Sequence, residues 1–173
     1  MAVCEIVLMG DPVLREEAAE VTDFGRDLRK LVRDMYESMY HAEGVGLAAP
    51  QIGISKQVLV IDLRDDEEPD ARLALINPRI VWHSDEREKS AEGCLSIPGL
   101  EEVVERPSEV RVEGLDPEGR PLTVEAGELF ARALQHEIDH LDGILFVDRV
   151  SGLKRRMLMK KWKKLRAEAE AES

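Results

Sequence analysis

The segment His136-Glu137-Ile138-Asp139-His140 constrains the fold of this chain more than any other. Histidines four apart share one face, one turn from each other, only on a helix. There they can offer two imidazole nitrogens to a single metal ion. The Glu beside the first histidine then sits near the ion without ligating it, free to take a proton from bound water. The surrounding sequence agrees: Phe130, Ala133, Leu134 and Leu141 fall on one helical face from about Glu128, and Asp142-Gly143 closes the helix.

The rest of the chain predicts what packs around that helix. Leu28, Leu31, Val32, Met35, Tyr36 and Met39 are spaced as an amphipathic helix over 27–42, stopped by Gly44 and Gly46. Residues 3–9 are apolar and end at the Asp11-Pro12 turn. Val58 to Leu63 has the β-branched content and length of a buried strand. Residues 64–72 are a charged, solvated loop. Leu73 to Trp82 is expected as a strand, bulged or placed at an edge by Asn77-Pro78. Val103 to Leu115 gives one long strand or two around Pro107, and the Asp116-Pro117-Glu118-Gly119 turn leads to a return strand at 122–124. A short strand after Gly143 and a last helix over 151–168 complete the order, with 169–173 expected as a disordered tail. Strands cluster rather than alternate with helices, so the expected class is α+β, with antiparallel or mixed sheets around the HExxH helix. The 173 residues are expected to form a single catalytic domain.

Charge is unevenly spread. The net charge is −12, from 24 basic and 36 acidic residues. Eight of the basic residues (Lys154, Arg155, Arg156, Lys160, Lys161, Lys163, Lys164, Arg166) lie in one stretch without an acid. The body outside that stretch therefore carries 16 basic against 36 acidic residues. Such a body is unsuited to binding DNA, while the basic stretch keeps an anionic partner open. Its apolar residues, Leu153, Met157, Leu158, Trp162 and Leu165, are expected to line the side that anchors it. No apolar run is long enough to span a membrane, and the first residues lack the basic start of a signal peptide, so a cytoplasmic protein is expected. Cys4 and Cys94 are not expected to pair in that compartment.

Two histidines do not complete a catalytic metal site, which usually has three protein ligands and one open position. His41, His83, Cys4, Cys94 and the carboxylates are candidates. A zinc endopeptidase would place its third ligand downstream, but Asp142 projects off the helix face and Asp148 follows an apolar stretch. Cys94, in Glu92-Gly93-Cys94-Leu95-Ser96, is better suited, because a thiolate is a strong ligand for a borderline ion.

Three segments together resemble the signature motifs of peptide deformylases: Gly44-Val45-Gly46-Leu47-Ala48-Ala49-Pro50-Gln51-Ile52-Gly53, Glu92-Gly93-Cys94-Leu95-Ser96 and Gln135-His136-Glu137-Ile138-Asp139-His140. Their order and spacing match over nearly the whole chain, and the last helix is similar to that of the bacterial type with a helical C-terminus. The resemblance implies a hydrolase that removes the formyl group from formyl-methionine on nascent polypeptides and releases formate. It implies Cys94, His136 and His140 as ligands of one divalent ion, Fe²⁺ foremost, with Zn²⁺, Ni²⁺ or Co²⁺ able to replace it. Glu137 is implied as general base and acid, and the Gln51 amide and the Leu95 N–H as donors to the developing oxyanion. Gly46 is implied to bind substrate backbone, and Val45, Leu129 and Ala133 to form the methionine pocket. Glu92 and Arg106 are implied as a buried pair supporting the Cys94 loop. The C-terminal helix is implied to dock on the ribosome near the exit tunnel. Two positions depart from the pattern: Glu101 stands where many relatives carry Arg, and Arg132 occupies a rim position that is often apolar.

Overall fold

The computed structural model describes residues 2–65 and 72–172. In chain order its elements are α1 (Arg26–His41), β1 (Gly46–Ala48), β2 (Val58–Asp62), β3 (Arg72–His83), β4 (Arg87–Glu92), β5 (Glu102–Pro107), β6 (Glu109–Leu115), β7 (Pro121–Gly127), α2 (Glu128–Leu141) and α3 (Gly152–Glu172). Short 3₁₀ turns occupy Pro12–Arg15, Ala49–Ile52 and Phe146–Arg149. The class is α+β. One sheet has the order β1-β2-β3-β6-β7 and the other is the β4-β5 pair. All these strand pairs are antiparallel.

The large sheet is apolar on both faces at β2, because each face carries a helix. Alternate residues of a strand point to opposite sides. Val58 and Val60 accordingly join Leu28, Leu31, Val32, Met35 and Met39 of α1. Leu59 and Ile61 join Phe130, Ala131, Leu134, Ile138 and Leu141 of α2, with Val110 and Val112 of β6. Burying a side chain such as Leu134 or Ile138 contributes about 1.5–3 kcal/mol each. Every residue from Phe130 to Leu141 is buried. That span includes Arg132, Gln135, His136, Glu137, Asp139 and His140, so the polar face of α2 points into the protein toward β4 and β5. Buried polar groups require partners, and this face is where the site assembles.

Several expectations change in detail. The Val103–Leu115 stretch is two strands divided at Pro107, and the two lie in different sheets. Asn77 has a left-handed backbone (φ 51) beside a register shift between Ile76 and Arg79, so the bulge reading holds. β3 is nevertheless central rather than an edge. The Asn77 amide pins the N-terminal segment by accepting from Val21 N (2.9 Å) and donating to Val21 O (3.0 Å). The apolar residues 3–9 lie outside any strand and are tied by single bonds, Cys4 N to Ser38 Oγ, Val7 N to Gln51 O and Met9 N to Ser96 O. The short strand expected after Gly143 is the 3₁₀ turn Phe146–Arg149. Residues 66–71 of the charged loop lie outside the described residues.

The last helix also differs. Leu158 and Trp162 are buried with Ile97, Leu100, Val104 and Phe146, and Met159 and Leu165 pack beside them. Leu153 and Met157 are instead 62% and 64% exposed, because helical rotation puts them on the opposite side from Leu158 and Trp162. The helix continues through the residues expected as a tail, to Glu172. The Ala-Glu repeat there has high helix propensity and can extend a helix that is already nucleated.

Candidate active site

Three side chains from two elements converge beneath the small sheet. His136 and His140 project from adjacent turns of α2, with their Nε2 atoms 3.3 Å apart. Cys94 comes from the loop after β4, its Sγ 3.3 Å from His140 Nε2. All three ligand atoms lie within 4.8 Å of one another. Nitrogens bound at 2.0–2.1 Å to one tetrahedral ion stand about 3.3 Å apart, so the spacing suits a metal. Among the described residues this is the one such group of His, Cys, Asp or Glu. The downstream carboxylate that a zinc endopeptidase would need is committed elsewhere: Asp148 accepts from Arg15 and Leu145 N.

The histidines have contrasting surroundings. Burial holds His140 well below its ordinary value, so it is neutral and fit to ligate. Burial also disfavours a charged His136, but Glu137, Cys94 and Glu92 outweigh it and raise its proton affinity. A cation at Nε2 fits the same negative environment. His136 Nδ1 lies 3.1 Å from Glu92 Oε1. Glu92 is held ionised: burial would raise its carboxyl, yet the hydrogen bonds of His136 and Arg106 bring it down to about 2. The carboxylate therefore accepts from Nδ1–H, which leaves Nε2, 3.3 Å from His140 Nε2, as the nitrogen where a metal cation would replace a proton.

Glu137 stands beside this group and is 5% exposed. Burial pushes its carboxyl up to about 7. Its Oε1 has no hydrogen-bond partner among the described residues. A cavity of ≈ 300 Å³ opens above it, within the range of roughly 300–1,000 Å³ usual for ligand pockets. Its wall includes Gly46, Gln51, Cys94, Leu95, Ala133 and His136. Val45 and Leu129 line it at the mouth, 40% and 59% exposed, and Ala133 is buried.

The two loop glycines are required by close approach rather than by unusual backbone angles. A Cβ on Gly46 would lie 2.6 Å from Glu137 Oε2, and one on Gly44 would lie 2.7 Å from Leu95 Cδ1. Neither residue has a positive φ. Gln51 is anchored inside the wall: Ala48 N donates to its Oε1 (3.0 Å), and its Nε2 donates to Ser96 Oγ (3.1 Å) and lies 3.5 Å from Cys94 Sγ. The Leu95 amide donates to no backbone acceptor among the described residues.

Comparison with known proteins decides what this arrangement belongs to. Residues 3–156 match the family described as Polypeptide deformylase. The chain belongs to that family. It is 48% identical to a peptide deformylase of Acidobacterium capsulatum over 98% of this chain and 99% of the relative. Among solved structures, a peptide deformylase from Legionella pneumophila is 41% identical, with a TM-score of 0.89 over 98% of both chains. One from Synechococcus elongatus, in complex with actinonin, is 46% identical, with a TM-score of 0.84 over 91% of this chain and 86% of that one. Peptide deformylases are metalloenzymes, and in this member Cys94, His136 and His140 form the metal-capable group.

The structure brings together every residue that the deformylase resemblance implies for the site, and it enlarges the supporting pair. Arg106 is 4% exposed and donates to Glu92 through Nε (2.6 Å) and Nη2 (2.9 Å). Its Nη1 also donates to Asp139 (2.9 Å), which in turn accepts from Arg149 through both carboxylate oxygens. Arg132 corrects the sequence reading. It lines the cavity wall, yet it is only 8% exposed and its guanidinium is turned inward to Glu92, Val104 O and Glu88 O. Its position four residues before His136, on the same helix face, was the available signal. Ser96 and Asp139 lie inside the recognised motifs without a role having been assigned to them. Glu101 is exposed, and its Cγ would meet a Cβ on Gly93 at 3.5 Å, which puts an acid near the cleft.

Proposed function

We propose that this chain, as one catalytic domain, hydrolyses the formyl group from formyl-methionine at the N-terminus of nascent polypeptides. The observation that carries the reading is Glu137: a buried carboxylate with one unpartnered oxygen, on the cavity and beside the Cys94-His136-His140 group, in a deformylase family member. Water adds to the formyl carbon, the C–N bond breaks, and formate and a free α-amine leave.

A divalent ion held by Cys94, His136 and His140 would supply Lewis acidity and lower the pKa of a water there. Glu137 accepts the proton that water loses and delivers it to the departing amine, for which burial has brought its carboxyl close to neutral. The Gln51 amide and the Leu95 N–H donate to the oxygen on which negative charge develops. Losing one such donor typically costs about 10²–10³ in rate. Val45, Leu129 and Ala133 enclose the methionine side chain, and the backbone of Gly46 pairs with the peptide like an added strand. Glu92, with Arg106 behind it, fixes His136. The donor set of one thiolate and two imidazoles suits Fe²⁺ as the working ion and also accepts Zn²⁺, Ni²⁺ or Co²⁺. The iron form should lose activity in air and regain it with nickel.

The protein acts in the cytoplasm, where nascent chains emerge. Its α3 presents Lys160, Lys161, Lys163 and Lys164 on the side away from the buried Leu158 and Trp162, and this face suits ribosomal RNA near the exit tunnel. Mass spectrometry on formyl-Met-Ala-Ser and on an internally quenched longer peptide tests the function. The expected products are formate and intact Met-Ala-Ser, with no internal cleavage. Cleavage of the longer peptide without deformylation would overturn the assignment.

A further inference from the structure

The ligand group spans two elements: both histidines ride on α2, while Cys94 follows β4. Something must hold the helix and the small sheet at a fixed separation. Arg106 does this from β5. A second side chain does it from the helix.

We propose that Arg132 is a positioning residue for His136, acting through Glu92, and that it governs how tightly the site keeps its metal. Glu92 Oε1 receives His136 Nδ1 (3.1 Å) and Arg106 Nη2 (2.9 Å). Glu92 Oε2 receives Arg106 Nε (2.6 Å) and Arg132 Nη1 (2.5 Å). An ionised carboxylate has about four acceptor sites, and here all are used. The plane of Glu92, and with it the direction of the His136 ring, is thus fixed from both oxygens. The same guanidinium donates to Val104 O on β5 (2.9 Å) and to Glu88 O on β4 (2.8 Å). Arg132 therefore ties α2 to both strands of the small sheet, one of which leads directly into Cys94. An apolar side chain here could fill the same wall but would leave Oε2 to Arg106 alone. The two strand carbonyls would then lose their donor.

This inference rests on the reading of Cys94, His136 and His140 as metal ligands, so the test separates the two. The wild type, Arg132→Met, Arg132→Lys and Met35→Ala are loaded anaerobically with Co²⁺. The thiolate-to-cobalt absorption band is followed as an excess of chelator removes the ion. Loss of an outer-shell partner typically weakens metal binding roughly 10–100-fold. Arg132→Met is expected to release Co²⁺ faster by such a factor, with Arg132→Lys between it and the wild type. Met35 is a fully buried residue of α1, so Met35→Ala lowers the melting temperature for unrelated reasons and should release Co²⁺ at the wild-type rate. Release from Arg132→Met within twofold of wild type overturns the proposal, as does equally rapid release from Met35→Ala. If Arg132→Met does not fold, the comparison rests on Arg132→Lys and Arg132→Gln, which must release faster than wild type. Failure of the wild type to show the thiolate band, or a Cys94→Ser variant holding Co²⁺ as tightly, defeats the ligand reading itself and this inference with it.

Discussion

Gly46→Ala is the smallest change that should damage the proposed chemistry, and its size can be worked from the coordinates. The added Cβ would lie 2.6 Å from Glu137 Oε2 and 3.1 Å from Glu137 Cδ and Cγ. Ordinary van der Waals separation is nearer 3.4 Å, so the carboxylate must retreat by about 0.8 Å. Glu137 is buried in a helix that is itself buried, so the shift changes its distance to the cavity. A displacement of this order can cost about 10² in rate, equivalent to about 2.7 kcal/mol of barrier. Backbone strain does not contribute, because φ at Gly46 is not positive. Replacing Gly by Ala also restricts the unfolded chain, which offsets part of the clash. Formate release from formyl-Met-Ala-Ser, metal content and melting temperature should be measured together. The expected result is a kcat lower by about two orders of magnitude with metal retained. Gly127→Ala is the control: a Cβ there meets nothing nearer than 3.8 Å, so turnover should not change. A Gly46→Ala enzyme within threefold of wild-type kcat, with full metal, would refute the claim that the position of this carboxylate limits the reaction.

Other substitutions probe the surroundings. Arg106→Ala should cost about 3–5 kcal/mol in denaturant unfolding, since it leaves Glu92 and Asp139 buried without their shared cation. Arg111→Ala, which breaks an exposed pair with Glu125, should cost under about 1 kcal/mol; equal effects would contradict the buried-network account. Asp34, hydrogen-bonded to Lys30 and Ala2 N, is held below its ordinary 3.8. A carboxyl lowered by folding stabilises above that value and loses its contribution as pH falls. Asp34→Asn should therefore lower the melting temperature at pH 7, and the gap should close as the solution is acidified; a gap that widens in acid would show the wrong sign. Truncation after Gly152 would uncover the apolar cluster that Leu158 and Trp162 cover, so the ribosome contact is better tested by charge. Changing Lys160, Lys161 and Lys164 to Gln should lower co-sedimentation with ribosomes at low salt, with the gap to wild type closing as salt rises, while turnover on free peptide is kept. Unchanged co-sedimentation would remove α3 from that role.

The chemistry-bearing residues were legible in sequence because a metal site needs fixed spacing along a helix and a thiolate of the right kind. His136, Glu137 and His140 show by their spacing, while Cys94 was one candidate among several until the resemblance to the deformylase motifs singled it out. The β4 strand was not legible: Arg87 to Glu92 is almost entirely polar, since five of its six residues are exposed, and only Glu92 turns inward. Its pairing with β5, not any apolar pattern, makes it a strand. Arg132 was misjudged for a related reason. A lone arginine reads as surface until the carboxylate that buries it is placed, and Glu92 lies forty residues earlier in the chain. Leu153 and Met157 show the reverse error, because helical spacing alone does not say which stripe meets the body. Gly44 and Gly46 were read as ending α1, and Gly46 as a substrate contact, whereas the space they leave is also taken up by Leu95 and Glu137.

The most direct test of the account is formate release by anaerobically loaded wild type and Glu137→Gln at equal metal content. General acid–base work by one side chain is worth about 10²–10⁴. The account predicts rapid formate production by the wild type, and a loss in that range for Glu137→Gln with the metal still bound. Turnover by Glu137→Gln within tenfold of the wild type would contradict it.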